Sequence, residues 1–155
     1  GRWSDGAAES ESMIASGELV TVMPSAIHAE RLLAEAEHHL ASAEMVAAFD
    51  PPMAYDSLYA AARKALTAVL AQQGLRATTR GGHIAAQHAV EAQLGRMRHV
   101  IKAFNHLRIT RNDADYPREE TPPLTTSDIR EDLPLAADIV SVMKTLIPRL
   151  GPFWP

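Results

Sequence analysis

Residues 96 to 111 hold Arg96, Arg98, Lys102, Arg108 and Arg111 together with His99 and His106, and no acid among them. Cations gathered in this way are suited to binding anions, and the planar fork of arginine matches phosphate oxygens in particular. The competing reading is a solvated helical face, the usual fate of a charge run on a helix. Arg111 departs from that ordinary pattern. Stepping back from Ala114 by three and four residues gives Arg111, Leu107, Phe104, Val100 with Ile101, and Met97, so the arginine falls in the register of an apolar stripe. A guanidinium there needs an acidic partner, an interface or an anionic ligand, because burying it alone is costly. Asp115, one turn further on, is a candidate partner, and Asp56 is another. Asn105, Arg108, Asn112 and Asp115 follow one another at helical spacing, forming a polar ridge beside the stripe.

Other chemistry finds less support. The 7 histidines invite a metal site, but Glu35 and His38 form one Glu-x-x-His pair with no second copy, and a di-metal bundle needs two. His83 and His88 are about 140° apart around a helix and share no face. No metal and no cofactor is expected. With 0 cysteines, disulfides, thiolate ligands and cysteine nucleophiles are excluded. His-Glu-x-x-His, Gly-x-Ser-x-Gly and phosphate-loop motifs are absent, and Gly81-Gly82 reads as a turn.

These side chains must be positioned by helices. The 155 residues, 46% hydrophobic, suffice for one domain. The net charge of −4 makes any nucleic-acid binding local rather than global. Nothing at the N-terminus reads as a signal peptide and no apolar run is long enough to cross a bilayer, so the expectation is a cytoplasmic protein without membrane contact. Residues 1–24 read as a largely irregular tail or arm in which only Glu18 to Met23 has strand character. Ser25 is the expected cap of a first helix, with Ile27, Leu32, Leu33, Ala36, Leu40, Ala43 and Val46 facing inward. Asp50-Pro51-Pro52 should open a second helix that Gly74 closes. Residues 74–82 read as a loop before a short third helix, His83 to Leu94, carried by Ile84, His88 or Ala89, and Val90. A fourth helix covers Arg96 to Asp115 and stops at Tyr116, ahead of Pro117. Ser127 and Asp128 should open the last helix, with Pro134 kinking it or marking its true start. The expected fold is all-α, a bundle of four to five helices in antiparallel up-down order, with a domain at residues 25–148 and a C-terminal tail at 149–155.

The segment LRITRNDADYP resembles the signature helix of HEPN domains, helical bundles named for higher eukaryotes and prokaryotes nucleotide-binding. Their motif is an arginine, usually followed by asparagine or another polar residue, and a histidine four to six residues on. Arg111 and Asn112 match its start, while YDSLYAAARKALTAVLAQQGL and TTRGGHIAAQHAV resemble the family's second helix and its loop with short helix, placing His83 at the opening of the latter. The resemblance spans residues 25 to 147 or thereabouts. It implies a homodimer that brings two motifs together, RNA or nucleotide as ligand, and membership of a toxin-antitoxin or defence pair. The cognate partner would be an antitoxin, a DNA-binding protein or a nucleotidyltransferase, for which Tyr116 would be the acceptor. Tyr116 stands where catalytic members carry histidine, and no histidine follows Arg111. Tyrosine, with an ordinary pKa near 10, is a poor base at neutral pH. Three readings therefore stand. The first is a non-catalytic binding module using Arg111, Asn112, Arg108, Asn105 and Asp115. The second is a metal-independent endoribonuclease with His106 or His83 as base and Arg111, Asn112 and Tyr116 at its centre. The third is a structural bundle that recruits a partner helix.

Overall fold

The computed structural model describes residues 6–94 and 97–153, apart from the side chain of His83. Arg96 and the His83 side chain, both singled out above, thus lie outside the described residues. Their order along the chain is α1 Ala7–Ala15, β1 Leu19–Thr21, α2 Ala26–Val46, α3 Pro51–Gln73, β2 Leu75–Ala77, α4 Gly82–Gln93, α5 Arg98–Asp115 and α6 Thr126–Leu146, with a 3-10 turn at Ile147–Arg149.

The helix boundaries follow from local chemistry. Ser25 caps α2 by accepting the His28 N–H at 3.1 Å, and Asp50 caps α3 by accepting that of Met53 at 3.2 Å. Two prolines occupy the first turn of α3, where no backbone N–H is missed. Gly74 ends α3 at φ 79°, a left-handed conformation that glycine adopts freely. Thr125 and Asp128 form a reciprocal capping box at the start of α6. That box fixes the start eight residues ahead of Pro134, which sits inside the helix and does not move its beginning.

Long-range contacts set the directions. The Ser25 N–H donates to the Ala71 carbonyl, so α2 and α3 form an antiparallel hairpin. Arg111 lies by Asp56 and Phe104 by Tyr59, so α5 runs against α3. His106 meets Asp132 while His99 meets Asp138, so α6 runs against α5. The four long helices are thus arranged up-down-up-down, with α4 inserted between α3 and α5. The core is laid down by Leu58, Leu66, Phe104, Leu107, Ile129, Ile139 and Met143, all fully buried. Ala29, Ala36 and Ala43, seven residues apart on α2, are also fully buried and let the hairpin helices approach closely.

Several expectations need correction. Six helices are present among the described residues rather than four to five, because the predicted irregular arm contains α1 and β1. β1 pairs antiparallel with β2, Leu19 opposite Ala77 and Thr21 opposite Leu75, so the expected loop 74–82 is partly strand. Leu19 is fully buried by this pairing, which a single strand-like stretch does not announce without its partner. The C-terminal tail is likewise tied down: Phe153 is buried, and its N–H donates to the Gln73 carbonyl at 2.9 Å. Ile27 points to solvent, 82% exposed, because it lies on the face of α2 opposite the buried Ala29 and Ala36. On α4 the inward position belongs to Ala89 rather than His88, and Ile84 is half exposed.

Candidate functional site

α5 carries the apolar stripe as far as Leu107 and then leaves the core. Val100, Ile101, Phe104 and Leu107 are buried, but the Arg111 side chain is 34% exposed, so it marks the end of the stripe rather than its interior. Its Nε lies 3.0 Å from Asp115 Oδ2, one turn on, and 3.4 Å from Asp56 Oδ1 on α3. Its guanidinium carbon lies 5.5 Å from the centre of the Tyr59 ring, a cation–π arrangement. Tyr59 in turn packs on Phe104, ring centres 5.6 Å apart. The arginine is therefore held from two sides by carboxylates and from below by an aromatic face.

The same arginine faces a cavity of about 400 Å³ lined by Tyr59, Gly81, Gly82, Arg108, Arg111 and Asn112, with Ile84 completing the wall. Among the described residues no carboxylate lines it. Its Gly81 wall is held by the arm. The Thr78 hydroxyl donates to the Gly17 carbonyl at 2.6 Å, and the Thr78 N–H donates to that of Glu18. The Gly81 N–H in turn donates to the Thr78 hydroxyl at 3.3 Å. A side chain at Gly81 would lie 2.6 Å from the Glu18 carbonyl oxygen, so glycine lets the arm and the α4 start close together. α4 then begins at Gly82 without a side-chain cap. The Gly82 N–H is taken by the Thr78 carbonyl at 2.8 Å, and the rest of the first turn, with the positive end of the helix dipole, lies at the wall of the cavity that holds two guanidiniums. The Tyr59 phenol records the local field: burial pushes its pKa up, while Arg63, Arg111 and Arg108 pull it back.

Arg108 is anchored through its neighbour, donating from Nη2 to Asn105 Oδ1 at 2.7 Å. Its Nε is buried without a hydrogen-bond partner. An orphan donor of this kind is costly to keep in a folded protein.

The structure thus groups Arg108, Arg111 and Asn112 at one cavity, sets Asn105 on Arg108 and pairs Asp115 with Arg111. It does not bring in His106 or Tyr116. His106 points the other way around α5 and places Nε2 3.0 Å from Asp132 Oδ2 on α6, an oxygen that also accepts the buried Tyr55 hydroxyl at 2.7 Å. Burial, and then Asp132, push the Tyr55 phenol far above its ordinary pKa. Tyr116 is 82% exposed at the end of α5, its N–H donating to the Asn112 carbonyl. Tyr59 and the Gly81-Gly82 helix start were not among the predicted site residues. The two glycines at the helix start were the available signal, since without side chains they let a ligand approach the backbone of the first turn closely. Among the described residues no group of three or more potential metal ligands gathers, so the Glu35–His38 pair has no completing partners there. No helix of the described residues is long and apolar enough to cross a membrane. No family model, curated protein or solved structure matches the chain.

Proposed function

We propose that this chain is a HEPN-like helical module that binds the phosphate of RNA or of a nucleotide at the Arg111 cavity without cleaving it. The observation that carries this reading is the meeting of Arg108, Arg111 and the start of α4, which has no side-chain cap, at one cavity with no carboxylate among the described residues of its lining. Two guanidiniums supply charge and bidentate geometry, Asn112 adds a neutral hydrogen-bonding group for a sugar hydroxyl, and the helix end adds backbone donors. Among the described side chains no base faces the cavity: His106 is turned toward Asp132 and Tyr116 lies outside it, while the side chain of His83 is not among those described. Within the HEPN-like reading the module is a homodimer, and its place is in a toxin-antitoxin or defence pair with a cognate protein.

The paired carboxylates Asp56 and Asp115 favour a second reading, in which Arg111 is a structural clamp between α3 and α5. One substitution separates the two. The binding reading predicts that Arg111→Ala abolishes association with labelled RNA in EDTA at low salt, at a small cost in stability. At these exposures two ion pairs and one cation–π contact are worth about 1–2 kcal/mol together. The structural reading predicts a fall in melting temperature with no binding to lose. Cleavage of RNA by the wild type in EDTA would overturn the non-catalytic assignment.

A further inference from the structure

The cavity at Arg111 continues past the start of α4. Ile84 and Arg108 line it and also line a larger cleft of about 810 Å³ between α4 and α5. The α5 wall of that cleft presents Arg98, Lys102 and Arg108, with the buried Ile101 behind them. On the α4 wall the half-exposed Ile84 adds apolar surface, and Glu91 is the carboxylate there. From Arg98 to Arg111 the helix rises about 20 Å, so the cations are spread along a track rather than gathered at a point. Arg108, with its unpartnered Nε, stands where the two spaces join.

We infer that the cleft receives the continuation of a single nucleic-acid strand whose phosphate enters the Arg111 cavity, so the ligand is an oligonucleotide rather than a mononucleotide. A mononucleotide needs one phosphate site, and the second space would then have no occupant. A strand places successive phosphates along Arg111, Arg108, Lys102 and Arg98 and turns a base face to the half-exposed Ile84. A duplex keeps its bases stacked inside and cannot lower both backbones into a cleft between two helices. RNA and DNA share this chemistry and differ at the 2′-hydroxyl. The inference rests on the phosphate-site reading of the Arg111 cavity.

The test uses fluorescein-labelled oligouridylate and oligodeoxythymidylate of equal length, their duplexes, and uridine 5′-monophosphate, each titrated with the full chain. Arg98→Ala/Lys102→Ala removes two exposed cations of the track and leaves the core untouched. It should weaken strand binding about tenfold at low salt and reduce the salt slope of log K by about 1.4, two contacts at about 0.7 each. Binding of the monophosphate should stay unchanged. Glu91→Gln should tighten strand binding. Strand binding by the double variant with wild-type affinity and slope overturns the cleft assignment, and equally tight duplex binding overturns the single-strand assignment. In either case the Arg111 site stands, provided Arg111→Ala still abolishes binding. Failure of the wild type to bind strand or monophosphate removes the phosphate-site reading itself.

Discussion

The firmest quantitative expectation concerns Asp132, a carboxylate 8% exposed inside the bundle. Its Oδ2 accepts the Tyr55 hydroxyl from α3 at 2.7 Å and faces His106 Nε2 of α5 at 3.0 Å, so one oxygen joins three helices. Asp132→Ala removes a charge-assisted hydrogen bond, worth about 1.5–3 kcal/mol, and leaves the Tyr55 hydroxyl buried without its acceptor, at about 1–3 kcal/mol. These costs overlap in part. The neighbouring Thr110 hydroxyl, which pulls the phenol's pKa back down, offers a substitute acceptor, which lowers the total. The expected loss is about 2–4 kcal/mol, or about 4–16 °C in melting temperature for a chain of this size. Tyr55→Phe, which leaves Asp132 its histidine, should cost about 1–2 kcal/mol. The assay is urea unfolding of both single variants and the double variant at neutral pH. Because the pair is in contact, the double variant should be less destabilised than the sum by about 1 kcal/mol or more. Additive losses, or a loss below about 0.5 kcal/mol for Asp132→Ala, would refute the buried network.

Titration and backbone give further tests. Tyr55 is held protonated in the folded chain while the unfolded phenol ionises near its ordinary 10, so stability is full below pH 10 and falls as pH rises above it. Tyr55→Phe should show a shallower decline between pH 9 and 11 in urea midpoints, and equal slopes would contradict this. His39 has its pKa lowered by burial and then by Lys64, whose Nζ lies 2.8 Å from its ring. Its contribution is full above about pH 6.5 and is lost as pH falls, and His39→Gln should flatten that acid limb in the same assay. Gly74→Ala forces a left-handed φ on alanine and sets its Cβ 2.6 Å from the Val22 carbonyl oxygen. The conformation alone costs about 1–2 kcal/mol and the clash adds to it, so thermal melting should show a loss above that range with the arm displaced.

The helices were legible because their signals are local. Ser25, the Asp50-Pro51-Pro52 run and Gly74 each act within one turn of chain, and the boundaries of α2 and α3 follow them closely. The arm was not legible, because β1 becomes a strand through residues more than fifty positions away. Leu19 needs Ala77, and neither segment has enough period-two pattern to announce the pairing. Arg111 shows both sides. Its place in the stripe was readable, and Asp56 and Asp115 were named as partners from charge and spacing. Its partial exposure was not readable, since it depends on how α3 and the start of α4 pack around it. The cavity was the least legible feature, for it is built from α5 side chains, a helix start without a cap, and an arm that holds Gly81 in place. Periodicity reports which face of α5 is apolar and says nothing about what α4 sets against the other.

The central claim is that the start of α4 and the arginines of α5 form one phosphate site. The most direct measurement is the amide and arginine Nε–H shift map of the isotope-labelled full chain, titrated with unlabelled oligouridylate at low salt. The account predicts saturable shifts at Gly81, Gly82 and Ile84, at the Nε of Arg108 and Arg111, and at Asn112, with little change around His106 and Asp132. Saturable shifts that leave the α4 start and both arginines unmoved, or no shifts at all, would contradict it.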